Sequence, residues 1–172
     1  MLGTKTNTVI AHYVWPTHKE LKMMKERNVW TAHSPSSNRN LSSGIAPIKE
    51  YISDGLKIEL VTDETAGSSL SIFRAMEDAI TAFKIRSALI DKKHKSVTLK
   101  EAFYLATLEG DSFFGKVGSF KKNYEFDALV LDESSIKTIL MPKLNLIDRL
   151  ERFVYNSRSN LKAKFINGIK II

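Results

Sequence analysis

The chain has 172 residues, of which 43% are hydrophobic and 26% are charged, and it contains no cysteine. This composition is typical of a globular domain, and the lack of cysteine excludes disulfide frameworks, thiol nucleophiles and cysteine-ligated metals. Any metal must therefore be bound by His, Asp or Glu. No apolar stretch resembles a signal peptide or a membrane span, so we expect a cytoplasmic protein with no membrane partner.

The net charge of +7 raises the alternative of a basic protein associated with nucleic acid. The dense basic run at 91–95 contains an acidic residue, and no aromatic side chains interleave it as a stacking platform for bases requires. We therefore interpret the positive charge as a solvated lysine-rich surface and expect no nucleic-acid partner.

Short β-rich runs alternate with helical patterns in the first two-thirds of the chain, which predicts βα units around a parallel sheet. The predicted strands cover 8–11, 28–32 and 57–62. A capping box of Thr17 and Glu20 opens the first helix, and a second helix runs from Pro47 to Gly55. The third helix has an apolar stripe that we expect in the core: Leu70, Phe73, Met76, Ile80 and Phe83.

A second capping box, Thr98 with Glu101, predicts a further helix whose end is marked by Gly110 and Gly115. Its expected apolar residues are Ala102, Leu105, Ala106 and Leu108. Beyond it we predict a strand over 126–131, a short amphipathic helix over 146–153 and a hairpin over 165–170, with Asn167-Gly168 as the tight turn. Residues 1–115 thus form a region of βα units, and residues 116–172 form a small β-containing region.

Polar side chains follow each of the three predicted strands: His12, His33 and Asp63. The carboxyl ends of parallel strands lie at one edge of the sheet, where βα folds carry their active sites. A single residue of this kind is more often a helix cap or a hydrogen-bonding group, but three in succession indicate a candidate site.

Several segments of the chain resemble the amidohydrolase superfamily and, within it, the guanine deaminases. They are Ala-His at 11–12, His-Ser-Pro-Ser-Ser-Asn at 33–38, and residues 62–71, 98–107, 114–120 and 126–130, in the family's order. The resemblance implies an α/β fold, namely the C-terminal part of a (β/α)8 TIM-like metallo-dependent hydrolase barrel in 1–115. Residues 116–172 would then form part of a small accessory β-sandwich.

The resemblance implies a zinc-dependent hydrolase that converts guanine to xanthine and ammonia in purine catabolism, with a small purine as its substrate. Asp63 matches the aspartate that ligates zinc and accepts a proton from water. His12 matches a catalytic histidine that hydrogen-bonds the attacking group or the substrate. His33 matches a motif position that we interpret as structural support.

The chain departs from the family in its zinc ligands. The family's His-x-His and His-x-x-Glu motifs do not occur among the four histidines, and Asp63 alone does not hold a catalytic zinc, which needs about three protein ligands. The resemblance therefore leads us to expect that the family's first five barrel strands are absent from this chain, and that the chain is a fragment that is inactive alone. Glu59 and Val61 also replace glycines that the family commonly carries, and a buried Glu59 would need a partner.

Incomplete barrels leave sheet edges open, so we expect a homodimer or a companion chain that supplies the missing strands. Two alternatives to a guanine deaminase remain. One is a non-catalytic amidohydrolase remnant that acts as an interaction module through its sheet edges. The other is a deaminase or amidohydrolase for another ring substrate, because related enzymes share many of the same barrel motifs.

Overall fold

The structure is a computed structural model that describes residues 7–134, 136, 144–156 and 160–172. It has a mixed α/β fold, as the sequence predicts, with one parallel and one antiparallel three-stranded sheet among the described residues. The parallel sheet contains β1 (Val9–Ala11), β2 (Trp30–His33) and β3 (Lys57–Leu60), adjacent in chain order. This order agrees with the predicted succession of βα units.

The first helices of the chain follow the strands of the parallel sheet: α1 (His18–Glu26), α2 (Pro35–Asn40), α3 (Ile48–Ser53) and α4 (Ile72–Leu89). The predicted capping box opens α1, because the Thr17 hydroxyl accepts a hydrogen bond from the Glu20 amide and the Glu20 carboxylate accepts one from the Thr17 amide. The sequence did not predict α2. Its residues are mostly polar, so it carries no apolar periodicity, yet Pro35, Ser36, Ser37 and Asn38 are buried.

The second strand begins later than predicted. Asn28 has a left-handed backbone (φ 56°) and its amide bonds to the Lys25 carbonyl at the end of α1, so Asn28 belongs to the turn and β2 starts at Trp30. The prediction that Leu70 lies in the core is wrong. Leu70 precedes α4 and is 70% exposed, whereas the other four residues of the apolar stripe are buried.

The helix after Thr98 is shorter than predicted. It is divided into α5 (Leu99–Leu105) and α6 (Leu108–Asp111) because Thr107 has a non-helical backbone, with φ −135° and ψ −98°. Leu108 and Gly110 therefore belong to a separate helix, and α6 packs against β3. The predicted capping box at Thr98 and Glu101 is present at the start of α5.

One face of the parallel sheet packs against the helices to form the core. Ile58 and Leu60 of β3 are buried there, together with Tyr51 of α3 and Met76 and Phe83 of α4. Side chains of in-register neighbours in a parallel sheet lie on the same face, so His33, the register partner of Leu60, also faces the helices. Ala32 and its partner Glu59 face the other way.

The antiparallel sheet contains β4 (Ala128–Asp132), β5 (Asn160–Ile166) and β6 (Ile169–Lys170), with α7 (Leu146–Asn156) between β4 and β5. The predicted hairpin is confirmed, and Asn167 (φ 49°) and Gly168 (φ 75°) supply the positive angles of its turn. β4 begins two residues later than predicted; Phe126 instead contacts the rings of Phe120 and Phe165. The accessory sandwich and the boundary at 115/116 stay predictions.

The C-terminal elements contact the first part of the chain through α7. Phe153 of α7 stacks on Phe73 of α4, with ring centroids 6.3 Å apart. Phe153 and Val154 are buried in the same core cluster as α3 and α4. Among the helices of the described residues, none combines the length and the hydrophobicity that a membrane-spanning helix requires.

Candidate active site

The side chains of His12 and Asp63 meet at the carboxyl edge of the parallel sheet. His12 follows β1 directly, and its Nε2 lies 3.8 Å from Oδ2 of Asp63. Both side chains are partly accessible, with 41% and 29% of their surface exposed. The structure thus brings together the two residues that the sequence predicts as catalytic.

Both residues have left-handed backbones, with φ 66° at His12 and φ 52° at Asp63. This region is uncommon for residues other than glycine, although His and Asp occupy it more readily than most. The His12 amide donates to the carbonyl of Ala32 at 2.9 Å, which fixes the turn after β1 to the neighbouring strand. The unusual backbone directs both side chains from the strand ends towards each other.

The loop that carries Asp63 is closed by Gly67, whose amide donates to the Asp63 carbonyl at 2.5 Å. A Cβ atom at position 67 would lie only 2.1 Å from the Thr62 carbonyl oxygen, so the close approach requires glycine. The turn therefore holds the backbone of Asp63 independently of its side chain.

Helix α2 holds the same loop from outside. The Ser36 hydroxyl accepts the Ser68 amide at 3.0 Å, and the Asn40 side-chain amide donates to the Ala66 carbonyl at 2.9 Å. Helix α2 is itself tied to α4, because the Arg39 guanidinium donates to the Asp78 carboxylate at 2.6 Å. Asp78 is only 2% exposed.

Helix α2 also reaches His12. Nδ1 of His12 lies 3.0 Å from Oδ1 of Asn38, which is 2% exposed. The sequence did not predict a role in the site for Ser36, Asn38 or Asn40. A signal was present, because the first two lie in the His-Ser-Pro-Ser-Ser-Asn segment and Pro35 is a helix-start residue, but their partners lie 26 or more residues away.

His33 is also at the carboxyl edge but does not join the His12–Asp63 pair. It is 3% exposed, and burial, followed by the charge of His12, lowers the pKa of His33 to about 3. Its Nδ1 has no hydrogen-bond partner within the part of the chain that the structure describes. His33 is thus a buried side chain that is neutral at neutral pH, and the structural role predicted for it stays a prediction.

Glu59 lies on the sheet face opposite Leu60, against Gly110 of α6. Burial, followed by the charge of Asp111, raises the pKa of Glu59. Burial, followed by the charge of Asp127, raises the pKa of Asp111. Among the described residues, the charged side chain that shifts the pKa of Glu59 is therefore a second acid, Asp111. Two partly buried acids in proximity disfavour each other's charged form.

The described residues contain no group of three or more His, Asp or Glu side chains placed to hold a metal ion. His12 and Asp63 offer one imidazole nitrogen and one carboxylate, which are donors that zinc accepts, but about three protein ligands are needed for a catalytic zinc. The donor chemistry of the pair fits zinc, and the number of donors does not complete a site. Further ligands would have to come from outside the described residues.

A groove of about 860 Å³ lies between α4, α7 and the antiparallel sheet, lined by residues such as Phe73, Leu131 and Phe153. Neither His12 nor Asp63 lines it. The candidate site is therefore a partly exposed surface at the sheet edge rather than part of this groove.

Comparison with known proteins assigns the chain to a family. The Amidohydrolase family model matches residues 1–170. Guanine deaminase from Mus musculus is 39% identical over 176 residues, covering 96% of this chain and 38% of the mouse protein. The 5-methylthioadenosine/S-adenosylhomocysteine deaminase from Aquifex aeolicus is 33% identical over 155 residues, covering 89% of this chain and 34% of that protein.

Solved structures give the same assignment. The crystal structure of guanine deaminase from C. acetobutylicum, which has guanine bound in its active site, matches with a TM-score of 0.91 and 37% identity. That match covers 98% of this chain and 40% of the other. An adenosine deaminase from Xanthomonas campestris, solved with bound zinc, shares the fold, with a TM-score of 0.76 and 21% identity.

The chain spans between a third and two-fifths of the length of these relatives. Within that span, the family match extends through both sheets, and the mouse, A. aeolicus and C. acetobutylicum relatives named above are all deaminases. The resemblance inferred from the sequence is thereby confirmed: the chain belongs to the amidohydrolase family.

Proposed function

We propose that this chain supplies the His12–Asp63 part of the active site of a zinc-dependent guanine deaminase. The observation that carries the proposal is the 3.8 Å approach of His12 Nε2 to Asp63 Oδ2 at the carboxyl edge of a parallel sheet. Similarity to guanine deaminases from mouse and C. acetobutylicum supports guanine as the substrate and xanthine and ammonia as the products.

The proposed reaction adds water to the amine-bearing ring carbon of guanine and breaks the C–N bond. A zinc ion, when bound, makes a water molecule acidic enough to act as a nucleophile near neutral pH. Asp63 offers two carboxylate oxygens, one able to face a cation and the other to accept a proton from the water. That proton then passes to the departing amine, so that ammonia leaves.

His12 would hydrogen-bond the attacking oxygen or the substrate through Nε2, the ring nitrogen that faces Asp63. Nδ1 is already engaged by Asn38, so the ring cannot rotate freely. Both side chains are partly exposed, so water and substrate could reach them from the side where the other strands of a complete barrel would lie.

The test measures bound zinc and the conversion of guanine to xanthine and ammonia. The measurement is made on the purified chain alone and on the chain mixed with the product of the adjacent upstream reading frame. Since Asp63 is the one zinc ligand predicted here and the described residues contain no group of three potential ligands, we expect activity in the mixture and none in the chain alone. In the active mixture, Asp63→Asn and His12→Gln should each lower kcat about 100-fold or more, the usual contribution of a general acid or base.

Matched control variants are Asp54→Asn and His18→Gln, because both residues are exposed: Asp54 is the C-cap of α3 and His18 is the first residue of α1. They should leave kcat within about twofold of the unmodified chain. Zinc-dependent turnover by the chain alone would contradict the proposal of an incomplete site. Lack of activity in both preparations would leave the non-catalytic interaction module as the better interpretation.

A different ring substrate is a second candidate, favoured by the 33% identity to an adenine-nucleoside deaminase over 89% of this chain. Guanine, 5-methylthioadenosine and S-adenosylhomocysteine should therefore be compared by kcat/KM in the active preparation. A preference for either adenosine derivative would reject guanine and keep the deaminase chemistry.

A further inference from the structure

Asn38 contacts the candidate catalytic histidine through an atom that can only accept a hydrogen bond. Oδ1 of Asn38 lies 3.0 Å from Nδ1 of His12, a normal hydrogen-bond distance. Because a side-chain carbonyl oxygen has no proton to donate, Nδ1 must carry the proton of this bond. In a neutral imidazole the other nitrogen, Nε2, is then an unprotonated acceptor.

Asp63 competes with Asn38 for the ring proton. A carboxylate is the stronger acceptor in a hydrogen bond of equal length. The Asp63 oxygen, however, is 3.8 Å from Nε2, beyond hydrogen-bond reach, whereas the Asn38 oxygen is within reach of Nδ1. Geometry therefore decides the tautomer in favour of Nδ1–H.

The position of Asn38 does not depend on His12. The main-chain amide of Asn38 donates to the main-chain carbonyl of Ser34 at 3.0 Å, and the main-chain carbonyl of Asn38 accepts the main-chain amide of Ser43 at 2.8 Å. The next residue, Arg39, bonds to the buried Asp78 of α4. With 2% of Asn38 exposed, the acceptor lies in a place largely closed to water, beside a histidine that is itself partly exposed.

We propose that Asn38 is a positioning residue that keeps the ring proton of His12 on Nδ1, so that Nε2 presents its lone pair towards Asp63. The catalytic meaning of this role rests on the proposed function. Without the Asn38 acceptor, the proton can move to Nε2 and a small rotation can close a direct His12–Asp63 hydrogen bond. Water and substrate could then no longer enter the space between His12 and Asp63.

The test reads the His12 tautomer by ¹⁵N NMR of the imidazole nitrogens, at about pH 9, well above the ordinary imidazole pKa. The His12→Gln variant assigns the His12 signals among the four histidines. We expect Nδ1–H in the unmodified chain. In Asn38→Leu the ratio of Nδ1–H to Nε2–H should fall about tenfold, the equivalent of one lost hydrogen bond.

Two variants control this measurement. Asn38→Asp retains an acceptor of the same shape and should retain the Nδ1–H signature. Asn40→Leu makes the same change in the same helix, removing a hydrogen bond to Ala66 instead of the one to His12, and should leave the His12 tautomer unchanged. Circular dichroism checks that each variant is folded.

Nε2–H as the major tautomer in the unmodified chain would overturn the proposal without any variant. An unchanged ratio in folded Asn38→Leu would also overturn it. The tautomer is observed without substrate or turnover, so failure of the proposed deaminase function leaves this result unaffected, and the two failures are distinguishable.

Discussion

His12 and Asp63 have in common a left-handed backbone in the turn that follows a strand, and each is held there by contacts of its main chain. Residues in sparsely populated backbone regions persist only where the surrounding structure fixes them, and such residues cluster at functional sites. Here the fixing contacts are the His12–Ala32 bond and the Gly67–Asp63 bond. The side chains are thereby left free for chemistry.

His33 illustrates the opposite use of a histidine, because its burial keeps it neutral. With its pKa lowered to about 3 in the folded chain, against an ordinary value of about 6.5, the unfolded state binds more protons in the interval between these values. Above about pH 6.5, His33 should therefore have no effect on how the free energy of unfolding varies with pH. Below about pH 6.5, His33 should make the free energy of unfolding decrease as the pH decreases. The slope from this residue is at most about 1.4 kcal/mol per pH unit.

Urea unfolding at a series of pH values between about 7.5 and 4.5 measures this slope. We expect His33→Gln to flatten the decline, because glutamine does not titrate. His18→Gln, which changes an exposed histidine, should leave the decline as it is. Equal slopes for the unmodified chain and His33→Gln would show that His33 is not the responsible group.

Among the secondary-structure elements, α2 is the one whose contacts organise the candidate site. Its six residues bond to the Asp63 loop through Ser36 and Asn40, to His12 through Asn38 and to α4 through Arg39. A helix this short has little stability of its own, so these tertiary contacts maintain it. One element thus couples the two strand ends that carry the catalytic candidates.

The capping box at the start of α5 leads to a prediction about the stability of the fold. The Thr98 hydroxyl accepts the Glu101 amide at 3.2 Å, and the Glu101 carboxylate accepts both the Thr98 amide and the Lys49 ammonium of α3. Thr98→Ala should lower the free energy of unfolding by about 1 kcal/mol, the usual effect of losing an N-cap. Urea unfolding monitored by circular dichroism measures the change.

The control for this prediction is Ser71→Ala at the start of α4, since Ser71 makes no side-chain capping hydrogen bond. That variant should change the free energy of unfolding by about 0.5 kcal/mol or less. A loss at Ser71 as large as the loss at Thr98 would contradict the capping explanation.

For the molecule as a whole, packing of α7 on α4 joins the region of the parallel sheet to the region of the antiparallel sheet. Phe153 is 7% exposed and stacks on Phe73, so its ring lies in the core that both regions share. Phe153→Ala should lower the free energy of unfolding by about 3–4 kcal/mol, because it removes a buried ring and leaves a cavity.

Denaturant unfolding of Phe153→Ala and of Leu146→Ala makes this comparison within one helix. Leu146 is 75% exposed, so its truncation should cost about 0.5 kcal/mol or less. If Phe153→Ala were as mild as Leu146→Ala, the contact between α4 and α7 would not be a stabilising junction.

The expectation that the chain associates with another chain rests on the edges of the parallel sheet. Within the described residues, β1 and β3 are the outer strands of the parallel sheet. Association through these edges, as a homodimer or with a companion chain, stays a prediction, as do the cytoplasmic location and the accessory sandwich.

The sequence by itself determined the α/β class, the order of the parallel strands, two capping boxes, the C-terminal hairpin and the family. These features follow from local signals: apolar periodicity, N-cap chemistry, turn residues and motifs of a few adjacent residues. It also placed His12 and Asp63 at one sheet edge, because parallel strands necessarily present their carboxyl ends on the same side.

Only the tertiary structure decided which polar residues meet. It paired His12 with Asp63, buried His33 against the helices, set Glu59 near a second acid, and created α2 from a segment without apolar periodicity. The Asn38–His12 bond joins residues 26 positions apart and depends on how α2 packs. Contacts of this kind arise from packing between elements, and no local sequence signal encodes them.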